Sequence, residues 1–191
     1  MPFFALMPDD AGPANVFTKY PQIYRHWAQM SQALMNGPSP LSQRERELVL
    51  AYAAGVAGCR FVYVAHSEVA YAWGVADGVI DQLLEDPEAA PVEARLKPLL
   101  AFVRKLSLTP GEMSQADADA VFEAGWDEQA LHDAIAITAR AAFMQRLVEG
   151  HGFAPMSRET AAAQAKRRVE RGYVNLYPAF REGSGGSSEH R

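Results

Sequence analysis

The sequence predicts an all-α, single-domain helical bundle, and three observations carry that reading. Apolar residues recur at three- and four-residue steps along most of the chain; serine and aspartate caps open several of these stretches; glycine and proline separate them. With 191 residues at 49% hydrophobic, the chain can bury one sizeable core.

Residues 1–13 hold Pro2, Pro8, Gly12 and Pro13 and read as an extended N-terminal arm, apolar enough in Phe3, Phe4, Leu6 and Met7 to lie on a surface. Residues 14–180 form the helical domain. From Asn15 to about Asn36, the spacing of Val16, Tyr20, Ile23, Trp27, Met30 and Leu34 predicts an amphipathic helix that Pro21 can break or restart. Ser42 and Glu45 form a capping box, and Leu48, Val49, Tyr52, Ala53 and Val56 give the following helix an apolar face up to Gly55–Gly58. The next helix runs from Cys59 to about Trp73, with Gly74 as its stop.

A short helix over Val79–Leu84 follows, then a longer one over 91–107. Thr109-Pro110-Gly111 is a turn, Ser114 and Asp117 open a short helix ending at Gly125, and Asp127 caps a long one reaching Glu149. On that long helix Leu131, Ile135, Thr138, Ala139, Ala142 and Leu147 are the expected packing face. Residues 157–171 read as an exposed helix suited to a subunit contact, and 172–180 as an extended aromatic segment. Residues 181–191 are polar and glycine-rich and read as a flexible tail.

Composition narrows the function. A net charge of −5 offers no basic footprint for nucleic acid, and no apolar run approaches the roughly 20 residues of a membrane span. The single cysteine excludes an internal disulfide framework, and the N-terminal stretch lacks the pattern of a secretory signal, so the expected location is the cytoplasm. His26, His132, His151 and His190 fall at no metal-ligand spacing; no metal and no cofactor are expected. The expected partners are a small molecule and further copies of the chain, as a dimer, trimer or hexamer.

Chemistry concentrates in 41–75. Cys59, Tyr63 and His66 fall at i, i+4 and i+7, on one helical stripe. Cys59 in the first turn would have its thiolate favoured by unpaired amides and the helix dipole. His66 could donate to the sulfur or relay a proton, with Glu47 orienting it from the neighbouring helix. The plainer reading makes Cys59 and His66 ordinary core residues and pairs Glu47 with Arg44 or Arg46.

Glu47, Cys59 twelve positions on and His66 seven further, within L-S-x-R-E-R-E-L…G-C-R-F-x-x-x-x-H-x-x-x-A-x-x-x-G-V, resemble the alkylhydroperoxidase-D-like branch of the carboxymuconolactone decarboxylase family. A fainter similarity continues in 131–153. The resemblance implies a helical bundle of that type, with Cys59, His66 and Glu47 as catalytic residues and Tyr63 and Arg60 against the substrate. Active peroxidase members carry C-x-x-C here, and Val62 stands at the second cysteine.

Three functions follow from the resemblance. Cys59 acts as a single-cysteine peroxide-reducing or redox-sensing thiol, restored by an external thiol. Alternatively, His66 and Glu47 carry out non-redox acid–base chemistry like that of the lactone decarboxylases on a small carboxylated substrate, with Arg60 or Arg140 as its cation. In the third, the chain is a catalytically silent oligomeric scaffold.

Overall fold

The computed structural model describes residues 2–177 and 180. Among these the chain is all-α, with no strand. The helices are α1 (Pro13–Lys19), α2 (Pro21–Asn36), α3 (Gln43–Val56), α4 (Arg60–Ala72), α5 (Val79–Glu85), α6 (Leu96–Leu108), α7 (Gln115–Glu123), α8 (Glu128–His151) and α9 (Arg158–Arg171). The tail expected over 181–191 lies outside the described residues.

Helix α3 is the hub of the bundle. Ser42 Oγ accepts the Glu45 amide and Glu45 Oε2 accepts the Ser42 amide, closing the expected capping box. Every residue from Glu45 to Ala54 is buried, because α4, α5, α6 and α8 all pack around this helix. The main core joins α3 residues such as Val49, Leu50 and Tyr52 to Leu99, Leu100 and Val103 of α6 and Ala134 and Ile137 of α8. A second, aromatic core gathers Phe17, Trp27, Phe61, Met144 and Phe153 around the first turn of α4.

Two faces differ from the spacing-based expectation, each for a local reason. Tyr20 leaves helical geometry and Pro21 starts a new helix, so α1 and α2 do not share one continuous face. Helix α2 buries Trp27, Ala28, Ser31 and Met35, while Ile23 and Met30 are exposed. On α8 Leu131 and Thr138 are buried as expected, but the buried face continues through Ala134, Ile137, Arg140, Ala141 and Met144, leaving Ile135 outside. The rotation carries the Arg140 guanidinium into the interior. Helix α6 begins at Leu96 rather than 91, because 91–95 form bends and a turn.

The ends fold back on the bundle. Residues 2–12 turn rather than extend, and the Phe3 amide donates to the His151 carbonyl at the end of α8. Helix α9 packs within its own chain, burying Ala161 and Ala165 on the side that meets α4. After it the chain turns sharply at Gly172, where φ is +68 and a Cβ would meet the Gln32 side chain at 2.3 Å. The turn sends Tyr173 inward, where its amide donates to Gln32 Oε1.

Leu99 is fully buried in the main core, so Leu99→Ala is expected to cost about 2–5 kcal/mol of stability in equilibrium urea unfolding.

Candidate functional site

Glu47 points from the middle of α3 toward α4, where His66 Nδ1 lies 2.8 Å from its Oε2. From the opposite side Tyr173 Oη donates to Glu47 Oε1 at 2.5 Å. All three side chains are buried. A buried carboxylate left without partners would cost several kcal/mol, so these bonds both satisfy Glu47 and fix the positions of the groups that make them.

The other ring nitrogen of the histidine is also occupied. His66 Nε2 lies 3.1 Å from Arg168 Nη1 on α9. A guanidinium has no acceptor, so Nε2 accepts and Nδ1 carries the proton donated to Glu47. His66 is therefore neutral, in one defined tautomer. Burial is the main influence, and with the Arg168 and Arg140 cations it brings the imidazole down from 6.5 to about 4 against the opposing pull of Glu47. Burial alone would raise Glu47, but His66, the Tyr173 hydroxyl and Arg168 outweigh it and hold the carboxyl below its ordinary value. Burial and the adjacent Glu47 push the Tyr173 phenol far upward, so it stays protonated as a donor.

His66 and Arg168 open onto a cleft of about 700 Å³. Its walls are the segment 9–15, Phe61, Val62 and Ala65 of α4, Arg140 and Met144 of α8, the loop 154–156, the inner face of α9, and Leu176 and Tyr177. Arg140 donates through Nε to Ser31 Oγ at 3.1 Å, and its guanidinium lies over the Trp27 and Tyr173 rings at 5.0 and 4.7 Å. Burial lowers its pKa, yet a guanidinium remains charged. Arg140 Nη1 and Trp27 Nε1 are both buried with no acceptor among the described residues. The charged residues lining the cleft are Asp9, Asp10, Arg140, Arg167 and Arg168, and around His66 itself two cations, Arg140 and Arg168, stand against one carboxylate, Glu47.

The remaining residues singled out in the sequence lie elsewhere. Cys59 is the N-cap of α4 rather than part of its first turn, and it is fully buried in the aromatic core away from the cleft lining. Burial pushes the thiol up, and nearby Glu149 adds to this, against hydrogen bonds from the Val62 and Phe61 amides. That is opposite to the activation expected at a helix start. Neither histidine nitrogen serves the sulfur, since both are engaged. Val62, one turn before His66, lines the cleft in its place. Tyr63 donates to Asp81 on α5, and Arg60 is exposed; neither lines the cleft. Of the two candidate cations, Arg140 is the one at the site.

Arg168 and Tyr173 had no place in the sequence-based site. One signal for Arg168 was present: Ala161, Ala165 and Arg168 fall at i, i+4 and i+7, so the small residues that pack α9 against α4 share a stripe with it. Among the described residues no group of three or more His, Cys, Asp or Glu side chains is placed to hold a metal, and no helix is long and apolar enough to cross a membrane.

The fold and the Glu–His pair define a helical bundle with a buried, carboxylate-oriented histidine at the wall of a cleft that Arg140 and Arg168 also line. Residues 21–105, which hold Glu47, Cys59, Val62 and His66, match the model of the Carboxymuconolactone decarboxylase family. Arg140, Arg168 and Tyr173 lie beyond that match. The fold is similar to an alkylhydroperoxidase AhpD core, an uncharacterized peroxidase-related protein from Ralstonia eutropha JMP134, at TM-score 0.70 and 23% identity over 79% of this chain and 78% of that one. It is also similar to an uncharacterized peroxidase-related protein from Silicibacter sp. TM1040, at TM-score 0.65 and 21% identity over 80% and 91% of the two chains. No curated protein matches the chain.

The His66 shift has a pH signature. Between about pH 4 and 6.5 the folded chain binds fewer protons at His66 than the unfolded chain, so stability falls as pH drops through that window and is flat in this respect above it. Urea unfolding from pH 7 to 5 is expected to show a loss of order 1–2 kcal/mol that His66→Gln lacks.

Proposed function

We propose that the chain is a non-redox acid–base enzyme in which His66 transfers a proton at carbon in a small carboxylated substrate held by Arg140 and Arg168. The observation that carries this reading is the neutral His66, tied through Nδ1 to Glu47 with Nε2 at the cationic end of the cleft. A base needs a lone pair, a fixed tautomer and a neutral ground state at working pH, and this arrangement supports all three. Glu47 orients the ring and stabilises the imidazolium formed when Nε2 takes a proton. The guanidiniums and the two unpaired donors suit a carboxylate, whose oxygens can accept several charge-assisted bonds. Phe61, Val62, Ala65 and Met144 suit an apolar body of modest size.

The family's name points the same way. Lactone decarboxylation breaks the bond to the departing CO₂ and passes its electron pair into the conjugated carbonyl system; carbon then needs a proton, which His66 gives from Nε2 after taking one up there from substrate or solvent. A carboxylated lactone is accordingly the first substrate class to test. The single-thiol redox reading finds less support, because the sulfur is buried off the cleft and its pKa is raised.

Turnover of a panel of carboxylated lactones by three proteins separates the readings. His66→Ala is expected to lower kcat by about 10²–10⁴, whereas Cys59→Ser leaves it unchanged. Hydroperoxide consumption that disappears in Cys59→Ser would replace this proposal with the thiol chemistry.

A further inference from the structure

The site contains a conflict. The nitrogen that has to receive the substrate proton already accepts a hydrogen bond from Arg168 Nη1. A lone pair in that bond cannot take a proton from carbon, so Arg168 must leave Nε2 before His66 can act. We infer that Arg168 is a substrate-operated cap: a carboxylate entering the cleft draws its guanidinium off His66 Nε2, and the base is exposed only when an anion is bound.

This inference rests on the acid–base reading and adds to it a specificity determinant outside the family-matched segment. Three features of the site support it. Arg168 lies on the cleft wall beside His66, within reach of both the imidazole and a ligand. It stands three residues before the end of α9 and is partly exposed, so its side chain has room to swing. A carboxylate is also the better acceptor, because it meets the guanidinium with opposite charge and two oxygens, where Nε2 offers one neutral lone pair. Both guanidiniums lie over the Tyr173 ring, Arg168 at 5.2 Å and Arg140 at 4.7 Å, but Arg140 is held further by Ser31 Oγ and the Trp27 ring, with Nη1 still unpaired. It therefore acts as the stationary anchor, and Arg168 is the part that moves.

The cap gives the site selectivity by charge. A neutral analogue of the same shape gives Arg168 nothing to exchange for Nε2 and leaves the base occupied. An anion removes one net positive charge from around His66 and frees its lone pair, and both effects favour protonation at higher pH. The charged or titratable groups facing His66 are Glu47 of α3, Arg140 of α8, Arg168 of α9 and Tyr173 after α9. Of these, Arg168 is the one whose bond to the ring an anion can replace.

The test follows the His66 ring by ¹⁵N NMR titration, with benzoate as an anionic probe of apolar body and benzamide as its neutral counterpart. Saturating benzoate is expected to raise the pH midpoint of His66, and benzamide to leave it in place. In ligand-free Arg168→Leu the midpoint should already be raised, and benzoate should move it less. Arg168→Lys keeps the charge without the fork and is expected to restore part of the benzoate response, which separates the cap from a merely structural role. Bound benzoate with an unmoved His66 midpoint would overturn the cap and leave the carboxylate reading standing, as would an Arg168→Leu protein that titrates like the parent. Absence of benzoate binding up to millimolar concentrations would remove both.

Discussion

The hydrogen bond between Glu47 and His66 is the constraint on which the rest of the structure depends. It joins the two helices that make the most intimate contact in the bundle and places an ionised carboxylate where water is excluded. Burying that charge is costly, and the surrounding fold offsets the cost: Tyr173 donates from one side, His66 from another, and Arg168 and Arg140 supply opposite charge. Once these partners are collected, their remaining atoms have few choices. The imidazole turns Nε2 toward the cleft, and the two guanidiniums line its inner end.

Helix α3 and the Glu–His pair were legible in the sequence because their signals are local. A capping box fixes where α3 starts, helical spacing fixes its face, and the offset of nineteen residues between Glu47 and His66 fits adjacent helices joined by a short turn. Arg140 was harder to place, because the register of α8 is set by packing against α3, α6 and α2 and is rotated from the Ala-rich face that spacing suggests. Tyr173 was hidden for a different reason. Its position depends on a single turn with positive φ at Gly172 and on Gln32, 141 positions earlier. Sequence spacing does not encode such a contact, although the stripe of Ala161, Ala165 and Arg168 did mark which side of α9 faces inward.

The lone cysteine illustrates how one substitution separates scaffold from chemistry. Position 62 lines the cleft one turn from His66, and position 59 lies behind it in the aromatic core. With valine at 62, the one thiol is at the position where burial and Glu149 suppress the thiolate. The Glu–His pair is held by Tyr173 and Arg168, with no part played by residue 62. A fold similar to that of peroxidase-related proteins here sets a histidine at the cleft and its one thiol behind it, which is why function has to be read from the site.

The central claim is that His66 is a neutral imidazole, protonated on Nδ1 toward Glu47 and unprotonated on Nε2. The ¹⁵N–¹H correlation spectrum of the ring at pH 7 reads this directly. One pyrrole-type nitrogen at Nδ1 and one pyridine-type nitrogen at Nε2 are expected. A ring protonated on both nitrogens at that pH, or one carrying its proton on Nε2, would contradict that claim.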